Sequence, residues 1–347
     1  MFYDNPQKTN DQKLRTGRLM RDNPITTDIN FNKDGVQHGH LSLPHSHDAS
    51  AWGAILIPIT VIKNGDGPTA LLSGSNHGDE YEGPVALMEL ANTLEAKDIS
   101  GRVILVPMMN YPAFQSASRT SPIDKGNLNR AFPGLPNGTL TEKIADYFQR
   151  TLLPMADYIL DIHSGGKTLE FIPFACAHRL EDKTQEAKCI AAMQAFNAPY
   201  SLMLLELDTV GLYDTAAEDL GKIFISTELG GGGTVSAETA RIAKKGVRNF
   251  LKHANILAGD LEYTPSIPLD MPDNNCYVRS KHAGLFEPCI DLGTRVKQGD
   301  IVARIYDIER TGITPVLYKA PIDGVFAGRH FPGLIKSGDF ICVIGVN

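Results

Sequence analysis

Three short segments combine histidine with acidic residues in types and spacings suited to binding a catalytic metal ion. HGDE holds His77 and Glu80 three positions apart, DIH ends at His163, and TEL contains Glu228. Catalytic zinc takes three nitrogen or oxygen ligands from the protein and keeps a fourth position open. We predict that His77, Glu80 and His163 bind one zinc ion per chain. Asp161, two positions before His163, could orient the histidine ring.

Hydrolysis at such a centre also needs a group that moves protons. We predict that Glu228 is this general base and acid, because a carboxylate in a cleft beside a metal can take a proton and hand it on. The glycines at 230–233 would let backbone and substrate approach closely. Asp79 and Glu82, the other acids near HGDE, are expected to be solvated or to begin a helix.

HxxE alone is a weak pattern that often arises by chance, so the placement of the segments matters. Each follows a predicted strand: TALLSGS precedes HGDE, ADYIL leads into DIH, and KIFIS leads into TEL. Open α/β sheets bind their ligands at the carboxyl ends of the strands. We therefore expect the three segments to meet at one edge of one sheet.

The elements that must position these residues alternate along the chain. AILIPITVI and GRVILVPMMN add two predicted strands, and helical patterns cover 82–96, 141–153, 183–196 and 236–254. This alternation predicts an α/β fold with a mixed, mostly parallel sheet and helices on both faces. Thr141 and Ser236 are predicted helix caps.

Composition shifts predict three regions: an N-terminal extension or edge hairpin (1–50), a catalytic domain (51–260) and a C-terminal all-β domain (265–347). In the last region GLFEPCIDLGTRVKQGDIVARI is repeated weakly as GVFAGRHFPGLIKSGDFICVI. This repeat resembles the barrel-sandwich fold of biotinyl and lipoyl carriers, but no lysine suited to modification stands between the halves. For the four histidines within 38–47 we favour an edge hairpin near the active site over a second metal site.

Composition excludes several classes of function. The net charge of −7 and the lack of a Lys/Arg-rich run argue against nucleic-acid binding. The longest apolar run, AWGAILIPITVI, is about half a membrane span and contains Pro58. Five cysteines without a CxxC pair argue against a disulfide framework. We expect a cytoplasmic enzyme with a small-molecule substrate, and a homo-oligomer is possible.

A loop rich in proline and glycine, SASRTSPIDKGNLNRAFPG, contains Arg119 and Arg130. Guanidinium groups bind carboxylates through paired hydrogen bonds, so the loop is a candidate for binding a substrate carboxylate. Taken singly, either arginine could instead form a surface salt bridge.

HGDE, NLNRAFPG, DIHSGG and TELGGGG, in this order, resemble the succinylglutamate desuccinylase/aspartoacylase family over roughly residues 50–347. The resemblance implies a zinc-carboxypeptidase-like fold with a β-rich tail. It also implies the zinc set and the role of Glu228 predicted above. By the same resemblance Asn129 and Arg130 would grip the substrate carboxylate, and Arg119 would polarise the scissile carbonyl or contact the substrate.

QHGHLSLPHSHDASAWGAILIPI, SNHGDEYEGP and RTSPIDKGNLNRAFPG look like one branch of this family, which deacetylates Nα-acetyl-L-2,4-diaminobutyrate during ectoine breakdown. The resemblance therefore implies zinc-dependent hydrolysis of an N-acyl amino acid, with release of acetate. The alternatives are another N-acyl amino acid amidohydrolase, such as a succinylglutamate desuccinylase or an aspartoacylase, a metallocarboxypeptidase, and a non-catalytic binding module. A cationic substrate side chain would need an acidic partner. Asp208, Asp214 and Glu218 are candidates, and nothing in the sequence distinguishes them.

Overall fold

The computed structural model describes residues 22–347, and its main feature is a ten-stranded sheet. Its strands, in spatial order, are β1 (Thr26–Thr27), β2 (Gly35–Pro44), β3 (Ala54–Asn64), β5 (Gly101–Val106), β4 (Thr69–Gly74), β6 (Tyr158–His163), β10 (Ile223–Glu228), β8 (Phe174–Ala177), β9 (Tyr200–Met203) and β11 (Ile267–Asp270). β5, β4, β6 and β10 run parallel, as do β8, β9 and β11. β1, β2 and β3 are antiparallel to their neighbours, and so are β8 and β10 to each other.

Helices pack against both faces of this sheet. They are α1 (Glu82–Thr93), α2 (Tyr111–Gln115), α3 (Leu140–Tyr147), α4 (Leu153–Met155), α5 (Lys183–Phe196), α6 (Tyr213–Glu218) and α7 (Ala237–His253), with a π-helical segment at Phe148–Leu152 between α3 and α4. Together with the sheet, they confirm the predicted mixed, mostly parallel α/β fold.

The central strands are buried on both faces, and alternation of their side chains divides the interior into two cores. Leu72 of β4 lies in the core with α1, α5 and α7, whereas the adjacent Leu71 lies in the core with α3 and α6. β5 repeats the division, with Leu105 in the first core and Ile104 in the second. This two-sided burial explains why these strands read as continuous apolar runs in the sequence.

One of the two predicted helix caps is wrong. Thr139, not Thr141, begins α3: its hydroxyl accepts a hydrogen bond from the backbone N–H of Glu142, whose carboxylate accepts one from the N–H of Thr139. The Thr141 hydroxyl instead donates to Asp124 at 2.8 Å. Both threonines stand before the same periodic apolar residues, so the sequence alone could not tell which of them caps the helix. The contact between Thr141 and Asp124 decides it. Ser236 caps α7 as predicted, in a capping box with Thr239.

Residues 35–64 form a long hairpin at the side of the sheet, in which β2 and β3 pair over their whole length. His38 and His40 lie on β2, and the Nδ1 atom of His38 is 3.0 Å from the Thr60 hydroxyl. Within residues 22–347, the side-chain groups able to hold a metal ion include none of the histidines at 38–47. The first 21 residues of the predicted extension lie outside the described residues.

After β11 the chain forms two smaller antiparallel sheets. Their strands are β12 (Tyr277–Arg279), β13 (Gly284–Pro288), β14 (Arg295–Val296), β15 (Ile301–Tyr306), β16 (Val316–Lys319), β17 (Gly324–His330), β18 (Leu334–Ile335) and β19 (Phe340–Gly345), and the short β7 (Leu169–Phe171) joins them by pairing with β17. β11, by contrast, belongs to the large sheet although it follows residue 265. The division of the chain into domains remains a prediction.

The weak repeat in the sequence corresponds to a structural repeat in these two sheets. β14 of the first half pairs with β17 of the second, and β18 of the second half pairs with β13 of the first. The matched residues Phe286 and Phe326 are buried in one shared core. Each half therefore completes the sheet of the other, in agreement with the predicted all-β tail.

The five cysteines are free thiols, and four of them are buried. Over residues 22–347, no helix is both long enough and apolar enough to cross a membrane.

Candidate active site

The three histidine and acid segments meet at the carboxyl ends of β4, β6 and β10, which are neighbours in the large sheet. His163 and Glu228 are the last residues of β6 and β10 and pair directly across the two strands. His77 and Glu80 stand in the turn between β4 and α1. The fold thus brings the three segments together at one edge of one sheet, as expected.

The turn that carries His77 is built by tight backbone packing. Ser75 adopts a left-handed conformation (φ 51°), and its hydroxyl donates to the carbonyl of Glu80 at 2.9 Å. A side chain at Gly78 would come within 2.2 Å of the backbone of Ala113, so only glycine fits there. The turn therefore places His77 and Glu80 on the same side of the chain.

His77, Glu80 and His163 converge as a possible metal site. Their ligand atoms all lie within 4.8 Å of one another, and the three side chains are buried. The Nδ1 atoms of the two histidines are each 2.8 Å from a different oxygen of Glu80. Two neutral imidazoles and one carboxylate fit zinc, so these residues could hold the ion that the sequence predicted.

Electrostatics around this group favour a charged Glu80. Desolvation would raise its pKa, but the adjacent His77 and His163 lower it well below the usual range of a glutamate. Burial lowers the pKa of His77, whereas Asp161 and Glu80 raise that of His163 in spite of burial.

Asp161 fixes the ring of His163 from the other side. One of its oxygens is 2.7 Å from Nε2 of His163 and accepts from Asn76 at 2.9 Å. Its other oxygen accepts from the hydroxyl of Ser73 at 2.9 Å. Two donors, Ser73 and Asn76, thus hold a buried carboxylate against the ring nitrogen that faces away from Glu80. The predicted orienting role of Asp161 agrees with this geometry.

We expect Asp161→Asn to weaken zinc binding about 10- to 100-fold, because an amide in place of the carboxylate turns one donor towards Ser73, Asn76 or the His163 ring. Zinc affinity measured by competition with a chelator checks this. The matched control is Asp66→Asn, which changes an exposed loop residue. Unchanged zinc affinity in Asp161→Asn would exclude the orienting role.

Glu228 lies at the end of β10, and its Oε2 atom is buried without a hydrogen-bond partner among residues 22–347. Burial raises the pKa of its carboxyl, and the charge of Glu80 raises it further. An unpaired carboxyl oxygen beside the candidate ligands His77, Glu80 and His163 can bind a water molecule or a substrate atom. This is the arrangement that proton transfer requires.

Both predicted arginines line the same cavity as His77, His163 and Glu228. The cavity has a volume of about 170 Å³, which suits a small metabolite. Nη1 of Arg119 is 3.8 Å from Glu80, and Arg130 donates to the backbone carbonyl of Asn129 at 2.6 Å.

Asn129 lines the cavity too, but its side-chain oxygen already has a structural task. It accepts from the backbone N–H of Tyr213 at 3.0 Å and so ties the arginine loop to the start of α6.

Two acids near the centre differ from the expectation of solvated residues. Asp79 is buried, and its carboxylate accepts from the backbone N–H of Lys167 at 2.8 Å. Glu82 does begin α1, but it is buried and accepts from the hydroxyl of Thr239 at 3.0 Å. Asp79 thus holds the loop at Lys167, and Glu82 joins the first turns of α1 and α7; the sequence contained no signal of either partner.

The site contains further residues that sequence reasoning missed. Glu206 lines the cavity beside Asp214, which the sequence had offered as a candidate, and His178 lies against both. His178 directly follows β8, a strand of four residues in IPFACAH that the sequence analysis did not identify. Because β8 runs antiparallel to β10, its carboxyl end lies at the other edge of the sheet, and strand-end placement would not have grouped His178 with His163 and Glu228.

Comparison with known proteins agrees with this geometry. Residues 66–254 match the model of the succinylglutamate desuccinylase/aspartoacylase catalytic domain. The chain is 55% identical over 326 residues to the N-alpha-acetyl-L-2,4-diaminobutyric acid deacetylase of Halomonas elongata, covering 93% of this chain and 95% of that protein. The chain therefore belongs to the succinylglutamate desuccinylase/aspartoacylase family, and the predicted membership is confirmed.

Solved structures agree over nearly the whole chain. The product-bound ectoine utilization protein EutE of Ruegeria pomeroyi matches with a TM-score of 0.93 and 62% identity, over 94% of this chain and 100% of that one. A succinylglutamate desuccinylase from Silicibacter sp. TM1040 matches with a TM-score of 0.92 and 63% identity, over 94% of this chain and 99% of that one.

Proposed function

We propose that this protein hydrolyses the amide bond of Nα-acetyl-L-2,4-diaminobutyrate, releasing acetate and 2,4-diaminobutyrate, with one zinc ion per chain. The observation that carries the proposal is a single small cavity lined by two converging histidines, an unpaired glutamate and two arginines. The 55% identity to a deacetylase of this substrate supports the choice of amide.

Each residue has one task in this proposal. His77, Glu80 and His163 hold the zinc, and Asp161 orients His163. When bound, zinc supplies a Lewis acid that lowers the pKa of a bound water and polarises a carbonyl. Arg130 and Asn129 bind the α-carboxylate, and Arg119 contacts the substrate near its scissile carbonyl.

Glu228 moves the protons. A bond forms between the oxygen of water and the acetyl carbon, the carbon–nitrogen bond breaks, and the leaving nitrogen gains a proton. Glu228 takes a proton from the water and delivers one to this nitrogen, so that the products are acetate and a free amine. The unpaired cysteines fit a reducing compartment, and we place the enzyme in the cytoplasm.

The test is an assay of acetate release from Nα-acetyl-L-2,4-diaminobutyrate, run beside N-acetylaspartate, N-succinylglutamate and a set of peptides. We expect kcat/KM to be highest for the acetylated diaminobutyrate. Peptide trimming from the C-terminus without acetate release would identify a carboxypeptidase instead. Faster turnover of either acidic N-acyl amino acid would assign the enzyme to another substrate within the family.

A further inference from the structure

The cavity that contains the metal group also carries two acidic side chains that neither metal binding nor proton transfer uses. Glu206 follows β9, and Asp214 lies in the first turn of α6. Both line the cavity with Arg119, Arg130 and Glu228, and both also line a wider neighbouring cavity of about 690 Å³. They therefore stand where the two spaces adjoin.

This end of the cavity attracts positive charge. Nδ1 of His178 lies 2.9 Å from Glu218, and its Nε2 lies 3.8 Å from Glu206. Desolvation would lower the pKa of His178, but its hydrogen bond to Glu218 and the charges of Glu218, Asp214 and Glu206 raise it to about 9. Three carboxylates thus surround one imidazolium, with the guanidinium of Arg130 as a further positive charge that acts on Glu206.

His178 and Asp214 are both buried in the wall of the wider cavity. His178 is 8% exposed, and its Nε2 has no hydrogen-bond partner among the described residues. Atoms of His178, Glu206 and Asp214 lie within 4.8 Å of one another, and Asp214 is 7% exposed. Buried carboxylates are costly unless a cation or a hydrogen-bond donor compensates them. The arrangement therefore points to a cationic ligand.

A second metal ion is the alternative occupant, because His178, Glu206 and Asp214 also lie close enough together to hold one. Nδ1 of His178 is engaged by Glu218, so the ring would offer an ion only its Nε2. A primary ammonium group needs no lone pair from the ring, because it brings three donors that can reach the two carboxylates.

We propose that Glu206 and Asp214 form the subsite for the side-chain ammonium group of the substrate, an inference that rests on the proposed function. One cavity would then hold the α-carboxylate at Asn129 and Arg130 and an ammonium group at Glu206 and Asp214. A substrate with a neutral or acidic side chain would bring no positive charge to these two acids. The subsite thus selects 2,4-diaminobutyrate over other amino acids.

The kinetic test compares Nα-acetyl-L-2,4-diaminobutyrate with N-acetyl-L-2-aminobutyrate, which has the same carbon chain without the amine. Glu206→Gln and Asp214→Asn should each lower kcat/KM for the charged substrate roughly tenfold to a hundredfold, mainly through KM. Turnover of the neutral analogue should change little. If both variants keep the preference of the parent, the subsite is wrong.

A control variant and the partial exposure of Glu206 distinguish loss of the subsite from loss of folding. Asp208→Asn is the matched control, because Asp208 is exposed and lies outside the cavity lining; we expect parental kinetics. Glu206 is only partly buried (27% side-chain exposure), so Glu206→Gln should fold normally even if Asp214→Asn does not.

Calorimetry with the free amino acids separates this inference from the proposed function. We expect 2,4-diaminobutyrate to bind the zinc-loaded parent at least about tenfold more tightly than 2-aminobutyrate, and Glu206→Gln to abolish the difference. Equal binding of the two amino acids by the parent would overturn the subsite.

If the parent hydrolyses neither acetyl compound but keeps the binding preference, the proposed reaction fails and the subsite stands. A second zinc per chain that is lost in Asp214→Asn would identify a metal site instead.

Discussion

Glu228→Gln is expected to lower kcat about 100- to 10,000-fold while the protein still binds about one zinc ion per chain. The carboxyl group lies at the end of β10 beside the metal group and is not one of the three converging ligands. An amide of the same shape cannot take a proton from water, although it preserves the packing of the strand end. Acetate release and metal content, measured on the same sample, check both halves of the prediction.

The control for Glu228→Gln is Glu309→Gln, which changes an exposed glutamate between β15 and β16. Its activity and zinc content should match those of the parent. If Glu228→Gln were as active as the parent, the assignment of the base would be wrong. Loss of the zinc in this variant would instead place Glu228 among the ligands.

His163→Ala is expected to reduce the zinc content from about one ion per chain to background and to abolish activity. The change removes one of three ligands and also leaves Asp161, which is 1% exposed, without its imidazole partner. Two remaining ligands cannot complete the tetrahedral set that holds a catalytic zinc ion. Metal analysis after dialysis, with circular dichroism to confirm folding, measures the effect.

The comparison for His163→Ala is His38→Ala, which removes an exposed histidine of β2 that belongs to no metal-binding group among the described residues. Full zinc content and activity are expected there. A folded His163→Ala protein that retained one zinc ion and its activity would rule out the ligand set proposed here.

The two variants fail in different ways, and the contrast is informative. Glu228→Gln should separate metal binding from turnover, whereas His163→Ala should lose both together. Added zinc should therefore rescue neither variant: the first already holds its ion, and the second lacks a ligand. Only a set of three ligands with a separate proton carrier predicts this pair of results.

The sequence by itself determined the sheet that holds the site. Continuous apolar runs predicted the strands that end at His163 and Glu228, because parallel strands buried on both faces need apolar side chains at every position. Strand-end placement then made HGDE a candidate metal-binding segment. The repeat in the tail likewise predicted an all-β domain, whereas the core that Phe286 and Phe326 share became visible only in the structure.

Only the tertiary structure decided which polar residues near the site matter. Asp79 and Glu82 were expected to be solvated or to begin a helix. Glu82 does begin α1, but both acids are buried against backbone or side-chain donors far away in the sequence. The same holds for Thr139 as the cap of α3, since Asp124 engages the competing Thr141.

The acidic subsite shows most clearly what the sequence could not supply. It named Asp208, Asp214 and Glu218 as equivalent candidates, but Asp208 is exposed and Glu218 pairs with His178. Asp214 and the unsuspected Glu206 face the cavity. The pattern of neighbouring residues in the sequence indicates whether a segment is a strand or a helix. The charge inside a cavity depends instead on side chains that only long-range packing brings together.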